Sequence, residues 1–304
     1  MAHGEAAVET ELTEETMLPA IAMCTTRKNG AAEHAHAVRP ALLRSFRWRL
    51  MLAVRRDGGT LGMLDLHCHI LPGVDDGAAS IDESLAMALF YVQDGLTHAV
   101  ATPHCHRHCR LLRADILPHV ARLNADLAAT GVPLPVLPGS EVQVTDTAAY
   151  RREFEAGLYC HLGDSPAFTL LEFNWNPEQY PSAAADLVGW LCERGTTPII
   201  AHPERHEFFT ADPERLRRIV EAGAWLQVTV DSLLGNHGPA PELSGEELLR
   251  TYPDAVLATD AHNVRRCSGL SAGYTWVRER LGAERASELR ARADQVLAAL
   301  ISHT

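Results

Sequence analysis

From Met63 onward, short apolar runs alternate with segments of helical spacing. Leu64 and Leu66 alternate with polar neighbours, the period of a short buried strand, and two histidines, His67 and His69, stand at its end. A period of two places both imidazoles on one side of that strand. Ser80-Ile81-Asp82-Glu83 reads as a capping box opening a helix that stops at Gly95, with Leu85, Ala88, Leu89 and Val92 at helical spacing. A strand is expected over 97–102, leading into Pro103-His104, and a helix over 114–130 closed by Gly131. A strand over 134–137 leads through Gly139-Ser140 to Glu141, and one over 167–171 ends at Glu172. A helix over 182–194 stops at Gly195, and a strand over 197–201 ends at His202. Helix 213–222, strand 225–230, helix 245–251 and strand 255–259 come next, the last ending at Asp260. Helices over 271–281 and 284–300 complete the chain.

About seven strands separated by helices predict an α/β fold with a parallel sheet and helical crossovers. The polar residues gather at the C-terminal strand ends, where a closed β/α barrel carries its active site. An open doubly wound sheet would place a glycine-rich phosphate turn after its first strand. His67-Cys68-His69-Ile70-Leu71-Pro72 stands there instead, so a barrel short of eight repeats is expected.

Residues 1–62 differ in character from the rest of the chain. The stretch from Glu5 to Glu15 is acidic, and 39–56 is arginine-rich around Leu42-Leu43-Arg44-Ser45-Phe46-Arg47-Trp48-Arg49. That segment has the character of an amphipathic helix for a partner or membrane surface, but a flexible appendage accounts for it more simply. An over-extended start, with Met63 as the natural one, is a further reading. A catalytic domain is therefore expected over 63–304.

Apolar residues make up 46% of the 304 and charged ones 22%, which supports a large core. The net charge of −12 offers no basic stripe for nucleic acid or an acidic membrane. No apolar run reaches the roughly 18 residues of a membrane span, and no signal peptide is evident. Seven cysteines without a regular framework suit reduced thiols in the cytoplasm.

Collected from the strand ends and the turn after the first strand, His67, His69, Asp76, His104, Glu141, Glu172, His202, Asp260 and His262 form one set. Asp75 offers a further oxygen beside Asp76. Five imidazoles and four carboxylates exceed one tetrahedral zinc and suit two or three ions with mixed nitrogen and oxygen ligands, such as Mn, Fe or Zn. The run His104-Cys105-His106-Arg107-His108-Cys109 is denser than needed. It reads as a loop carrying one ligand, His104, rather than a separate zinc site.

Asp65-Leu66-His67-Cys68-His69, the Thr102-Pro103-His104 run and Asp260-Ala261-His262 resemble the polymerase and histidinol phosphatase (PHP) family. The longer turn through Leu71-Pro72-Gly73-Val74-Asp75-Asp76-Gly77 is closer still to the bacterial CpsB/CapC-type tyrosine phosphatases. So are Gly139-Ser140-Glu141, Leu171-Glu172-Phe173, His202-Pro203-Glu204-Arg205, Gln227-Val228-Thr229 and Ser232-Leu233-Leu234-Gly235. The resemblance implies a distorted (β/α)7 TIM-like barrel of the PHP type. It further implies three divalent ions, manganese above all, held by the nine residues above, and a role in capsule and exopolysaccharide biosynthesis. Its implied partner is a phosphotyrosine protein, a bacterial tyrosine kinase; a homo-oligomer stays open. Two departures stand out. The family's Arg-Pro-Pro after Asp-Ala-His-Asn is replaced by Val264-Arg265-Arg266-Cys267, leaving Arg266, or else Arg265, for the phosphate, and Asp231 takes the place of a common glycine.

Three divalent ions would outweigh four carboxylates and favour a dianionic phosphate monoester, and metal coordination brings the pKa of water to about 7. Arg205 and Arg266 are the expected clamps on the phosphate oxygens. Histidinol-phosphate phosphatase is the nearest rival. An amidohydrolase with a carbamylated lysine is disfavoured because the only lysine is Lys28. Cysteine-based phosphatase chemistry fails because no cysteine is followed by arginine six positions later. A non-catalytic metal module that binds a kinase is the alternative from another class.

Overall fold

The computed structural model describes residues 62–266 and 268–302, so the readings of residues 1–61 lie outside the described residues. Ten strands are described: β1 Met63–Cys68, β2 Leu96–Ala101, β3 His104–His106, β4 Cys109–Arg110, β5 Val136–Pro138, β6 Glu141–Val144, β7 Phe168–Phe173, β8 Thr197–Ala201, β9 Trp225–Thr229 and β10 Ala255–Ala258. They pair in the orders β1-β2-β5 and β10-β9-β8-β7-β6-β3-β4. All pairs are parallel except the small β3–β4 hairpin.

Two of the strands expected from the sequence, β2 and β5, are each followed at once by a further short strand, β3 and β6. Only Thr102-Pro103 separates β2 from β3, and only Gly139-Ser140 separates β5 from β6. Proline has no N–H for the ladder, so Pro103 ends one sheet and the chain resumes in the next. Gly139 is required by close approach, because a Cβ there would lie 2.8 Å from Val100 Cγ1. Each pair acts as one stave. The ring of seven staves closes where β1 meets the chain after β10, through a Cys68–Ala261 bridge. His69 N donates to Ala261 O and Asp260 N to His67 O, both at 2.9 Å. The result is the distorted seven-stave α/β barrel expected. His104 and Glu141, however, open strands rather than end them.

Helices cover the outside. Ser80 caps Ile81–Gln93, its Oγ accepting from Glu83 N at 3.3 Å, and Glu83 accepts in return from Ala79 N at 3.0 Å. The buried stripe is Ser84, Met87, Ala88 and Tyr91, so the expected one is rotated and Leu89 is exposed. A helix at Thr147–Glu155 was not expected, although Asp146 caps it by accepting from Ala148 N and Ala149 N. The helix read over 245–251 begins earlier, as Pro239–Thr251, with Pro239 in its first turn.

Inside the barrel, Leu64, Leu66, Val100, Phe168, Leu170, Ile199 and Val256 form one cluster with Val296, Leu297 and Leu300 of the last helix, Ala283–Ile301. Those helical side chains plug the end of the barrel at which the strands begin. Polar side chains are thereby confined to the opposite mouth.

Candidate metal centre

Strict alternation along β1 would turn His67 outward, since Leu64 and Leu66 already face the inner cluster. The register against β2 shifts between Asp65 and Cys68, and this irregularity re-aims His67 into the mouth. Asp65 faces the other way, accepting from Thr259 N at 3.0 Å and from Thr259 Oγ1. Burial pushes its carboxyl up, against those hydrogen bonds. His202 and Asp260 are held in left-handed backbone conformations, with φ of 33° and 51°. Such strain persists only where the surroundings over-determine it. In the turn after β1, a Cβ on Gly77 would meet His69 O at 2.1 Å, so only glycine lets the turn fold back on His69.

Glu141 lies at the middle of the arrangement. Its Oε2 lies 2.8 Å from His104 Nδ1, 3.5 Å from His67 Nε2 and 3.6 Å from His69 Nε2, and its Oε1 lies 2.8 Å from His202 Nε2. Asp260 Oδ1 stands 3.3 Å from both His67 Nε2 and His69 Nε2. Asp76 Oδ1 approaches His104 Nε2 at 3.2 Å and His262 Nε2 at 3.4 Å. Glu172 Oε1 is 4.0 Å from His202 Nε2. The nine residues singled out in the sequence therefore converge. Three sets have donor atoms close enough to share an ion: His67, His69 and Glu141; His69, Asp76, His104 and His262; and His104, Glu141 and Glu172. Glu141 Oε2 is buried without a hydrogen bond despite its three nitrogen neighbours. A divalent cation satisfies such a buried, converging set of nitrogen and oxygen donors, so the residues present fit the group.

The sequence left Asp75 and Asp76 side by side, and the fold separates them. Asp75 Oδ2 lies 2.8 Å from His69 Nδ1, behind the ring, and accepts from His104 N at 3.2 Å. Asp76 lies at the mouth. Gln227, whose role the sequence reading missed, places Oε1 at 2.9 Å from His67 Nδ1 and accepts from His202 N at 3.2 Å. The signal was a glutamine set between apolar Leu226 and Val228 in a buried strand. With acceptors behind Nδ1, the rings of His67 and His69 both present Nε2 to the centre.

Arg205 Nη1 donates to Asp260 Oδ2 at 2.6 Å, which brings the expected phosphate clamp to the centre's edge. The side chain of Arg266 lies outside the described residues; Arg265 is exposed, its N–H donating to Asn263 Oδ1. Of the run 104–109, only His104 joins the converging set among the described residues. His106 Nδ1 instead accepts from His108 N and Cys109 N within its own hairpin. Asp231 accepts from Asn236 Nδ2 at 2.9 Å and so pins the following loop.

Without an ion, neighbouring carboxylates raise the imidazoles of His67, His69 and His104 against the cost of burial. Burial works against charge on His69, but Asp260 and Asp75 accept its N–H groups and raise it to about 10. Burial likewise opposes charge on His104, yet Glu141 and Asp76 push it up to about 12. Burial would raise Glu141, but the charges of His67 and His104 hold it well below the usual carboxylate range. Burial and the charge of Glu141 push Glu172 up. A histidine raised above its unfolded value of about 6.5 contributes stability that is complete below that pH and lost as pH climbs through the folded value. Chelator-treated protein should thus melt at progressively lower temperature from about pH 7 towards 10. Metal-loaded protein should show a flatter profile, because an ion takes the proton's place. Parallel thermal scans of the two forms check this; a flat profile without metal would mean that the rings are not protonated.

Residues 63–298 match the family described as capsular polysaccharide synthesis, CpsB/CapC. The tyrosine-protein phosphatase YwqE of Bacillus subtilis is 33% identical over 204 residues, covering 67% of this chain and 78% of its own. The putative tyrosine-protein phosphatase CapC of Staphylococcus aureus is 31% identical over 209 residues, 66% of this chain and 78% of that one. A crystal structure from work on YwqE of Bacillus subtilis and CpsB of Streptococcus pneumoniae, described there as unique metal-dependent tyrosine phosphatases, superposes with a TM-score of 0.73 at 31% identity. It covers 78% of this chain and 95% of the other. With the barrel, the match across nearly all of the described residues and relatives covered over most of their length, this chain belongs to the CpsB/CapC family.

Proposed function

We propose that the chain is a metal-dependent protein tyrosine phosphatase, a phosphoric monoester hydrolase whose substrate is a bacterial tyrosine kinase of capsule or exopolysaccharide biosynthesis. The observation that carries this reading is the convergence of five imidazoles and four carboxylates, with Glu141 against four of the imidazoles, in a member of this family. His67, His69, Asp76, His104, Glu141, Glu172, His202, Asp260 and His262 would hold up to three divalent ions, manganese first and iron or zinc as substitutes. Bound there, the ions supply positive charge for a phosphoryl group and a water acidic enough to ionise near neutral pH.

The chain's own residues do the rest. Gln227 and Asp75 fix the tautomer and direction of His67 and His69. Asp260 holds Arg205 by one guanidinium nitrogen, leaving the remaining N–H groups to orient the non-bridging oxygens of a phosphate. A phenol leaving group, with a pKa of about 10, needs less proton assistance than an alkyl alcohol. Action in the cytoplasm is part of the proposal, supported by free thiols at Cys105, Cys109, Cys160 and Cys192; no helix among the described residues is long and apolar enough to cross a membrane.

The test is hydrolysis of a phosphotyrosine peptide by metal-stripped protein re-supplied with Mn²⁺, beside histidinol phosphate. Metal-dependent release from the peptide, faster than from histidinol phosphate, is expected. The reverse preference would favour a small-molecule phosphatase, and turnover of neither a non-catalytic module. We also propose that 63–304 carry the whole activity. A chain shortened to begin at Met63 should keep kcat/KM within about twofold, since every residue of the centre lies after that position. An insoluble or inactive product, where the full chain works, would give residues 1–62 a structural role.

A further inference from the structure

Trp175 lies on the loop that leaves β7, three residues after Glu172. Its indole is nearly parallel to the His202 ring, with centroids 5.5 Å apart and planes at 13°, and it packs 4.3 Å from His206. The Arg205 guanidinium carbon stands 5.1 Å from the indole centroid. Trp175 nonetheless remains 48% exposed. A ring of this size left half in water at the edge of a polar centre loses much of the benefit of burial, and the fold spends further contacts on fixing it there. Asn174 Nδ2 donates to Gln143 Oε1 at 3.1 Å, and Gln143 Nε2 donates to Glu172 Oε2 at 2.8 Å. Asn174 Oδ1 also accepts from Asn176 N at 2.9 Å, bracketing Trp175 from both sides. The loop is thus tied through two amides to a residue of the proposed metal centre. Two cavities, of about 780 and 500 Å³, are both lined by Trp175 and Arg205.

We propose that Trp175 is the specificity-determining wall that receives the aromatic ring of the substrate, so that the site selects aryl over alkyl phosphate esters. This deepens the phosphatase reading above and rests on it. In an aryl phosphate the ring is bonded directly to the ester oxygen. A phosphate gripped by Arg205 therefore delivers that ring beside the indole, whereas a serine ester places only a methylene there. Aromatic pairs are favourable at centroid separations of about 4.5–7 Å. The indole is already immobilised by His202 and His206, so little conformational freedom is lost on binding. The two cavities that share Trp175 and Arg205 leave room for the peptide that carries the tyrosine.

The experiment compares phenylphosphonate with methylphosphonate as competitive inhibitors of the manganese-loaded full-length enzyme. The wild type should prefer the phenyl compound, and Trp175→Ala should reduce the ratio of the two inhibition constants by about 3- to 10-fold. Trp175→Phe should keep most of the preference. Trp175→Leu, which keeps apolar cover over His202 but lacks a π face, should lose it with metal content unchanged. An equal ratio in wild type, or an unaltered ratio in the alanine and leucine variants, overturns the assignment. Absence of phosphotyrosine turnover in the wild type would instead remove the phosphatase reading, and the dissociation constants of the two phosphonates, read by titration calorimetry on the same protein, register separately from it.

Discussion

Replacing His67 or Asp260 by alanine is expected to lower phosphatase turnover by at least about 10³-fold, or about 4 kcal/mol of transition-state stabilisation, and to reduce bound metal. Both residues meet at one point, with Asp260 Oδ1 3.3 Å from His67 Nε2 and 3.3 Å from His69 Nε2. Removing either opens a coordination position and leaves the remaining charges unbalanced in a buried setting. Asp260→Ala does double damage, because the same carboxylate holds Arg205. Gln227→Ala is the graded comparison. It removes only the acceptor behind His67, and partners of that kind are typically worth about 10- to 100-fold in metal affinity or activity. Metal analysis beside kinetics on the three variants gives the order expected, with Gln227→Ala the mildest. Full activity and unchanged metal in His67→Ala or Asp260→Ala would take those residues out of the centre.

Arg205→Lys is expected to lower kcat/KM by roughly 10- to 1000-fold, about 1.4 to 4 kcal/mol, with metal content at the wild-type level. Lysine keeps the charge but cannot donate to Asp260 and to a phosphate oxygen from one rigid plane. The proximity of Arg205 to Trp175 adds a stacking contact that an ammonium on a flexible stem fills less well. Loss of metal in this variant would mean that Arg205 acts by holding Asp260 rather than by gripping phosphate. The second clamp is decided by Arg265→Ala beside Arg266→Ala. A loss confined to Arg266→Ala assigns it the role proposed, while wild-type rates in both leave Arg205 and the ions to hold the phosphate.

The sequence by itself pointed to the nine side chains that the fold brings together. A strand in a parallel barrel delivers its last residues to one mouth, so polar side chains punctuating apolar runs could be collected without knowing the distances between them. Asp260 and Glu172 obey this rule directly. The helix starting at Ser80 and the stop at Gly131 were legible for a similar reason, since capping is local chemistry.

What the tertiary structure decided was direction. Alternation along β1 gives His67 the wrong face, and only pairing with β2 creates the irregularity that reverses it. His104 and Glu141 stand after breaks in their staves, which depend on how Pro103 and Gly139 meet neighbouring strands. Asp75 and Asp76 are chemically equal neighbours until the turn folds against His69, and then one supports a ring from behind while the other faces the mouth. Trp175 carries no motif of its own, and Gln227, though part of a family-like segment, gains its role only from the His67 ring that lies opposite. Leu89, apolar and correctly spaced, faces solvent because the helix is rotated by the packing of Met87 and Tyr91. Residue type and period are local properties of the chain, whereas the face a side chain presents depends on strand register and on neighbours distant in sequence.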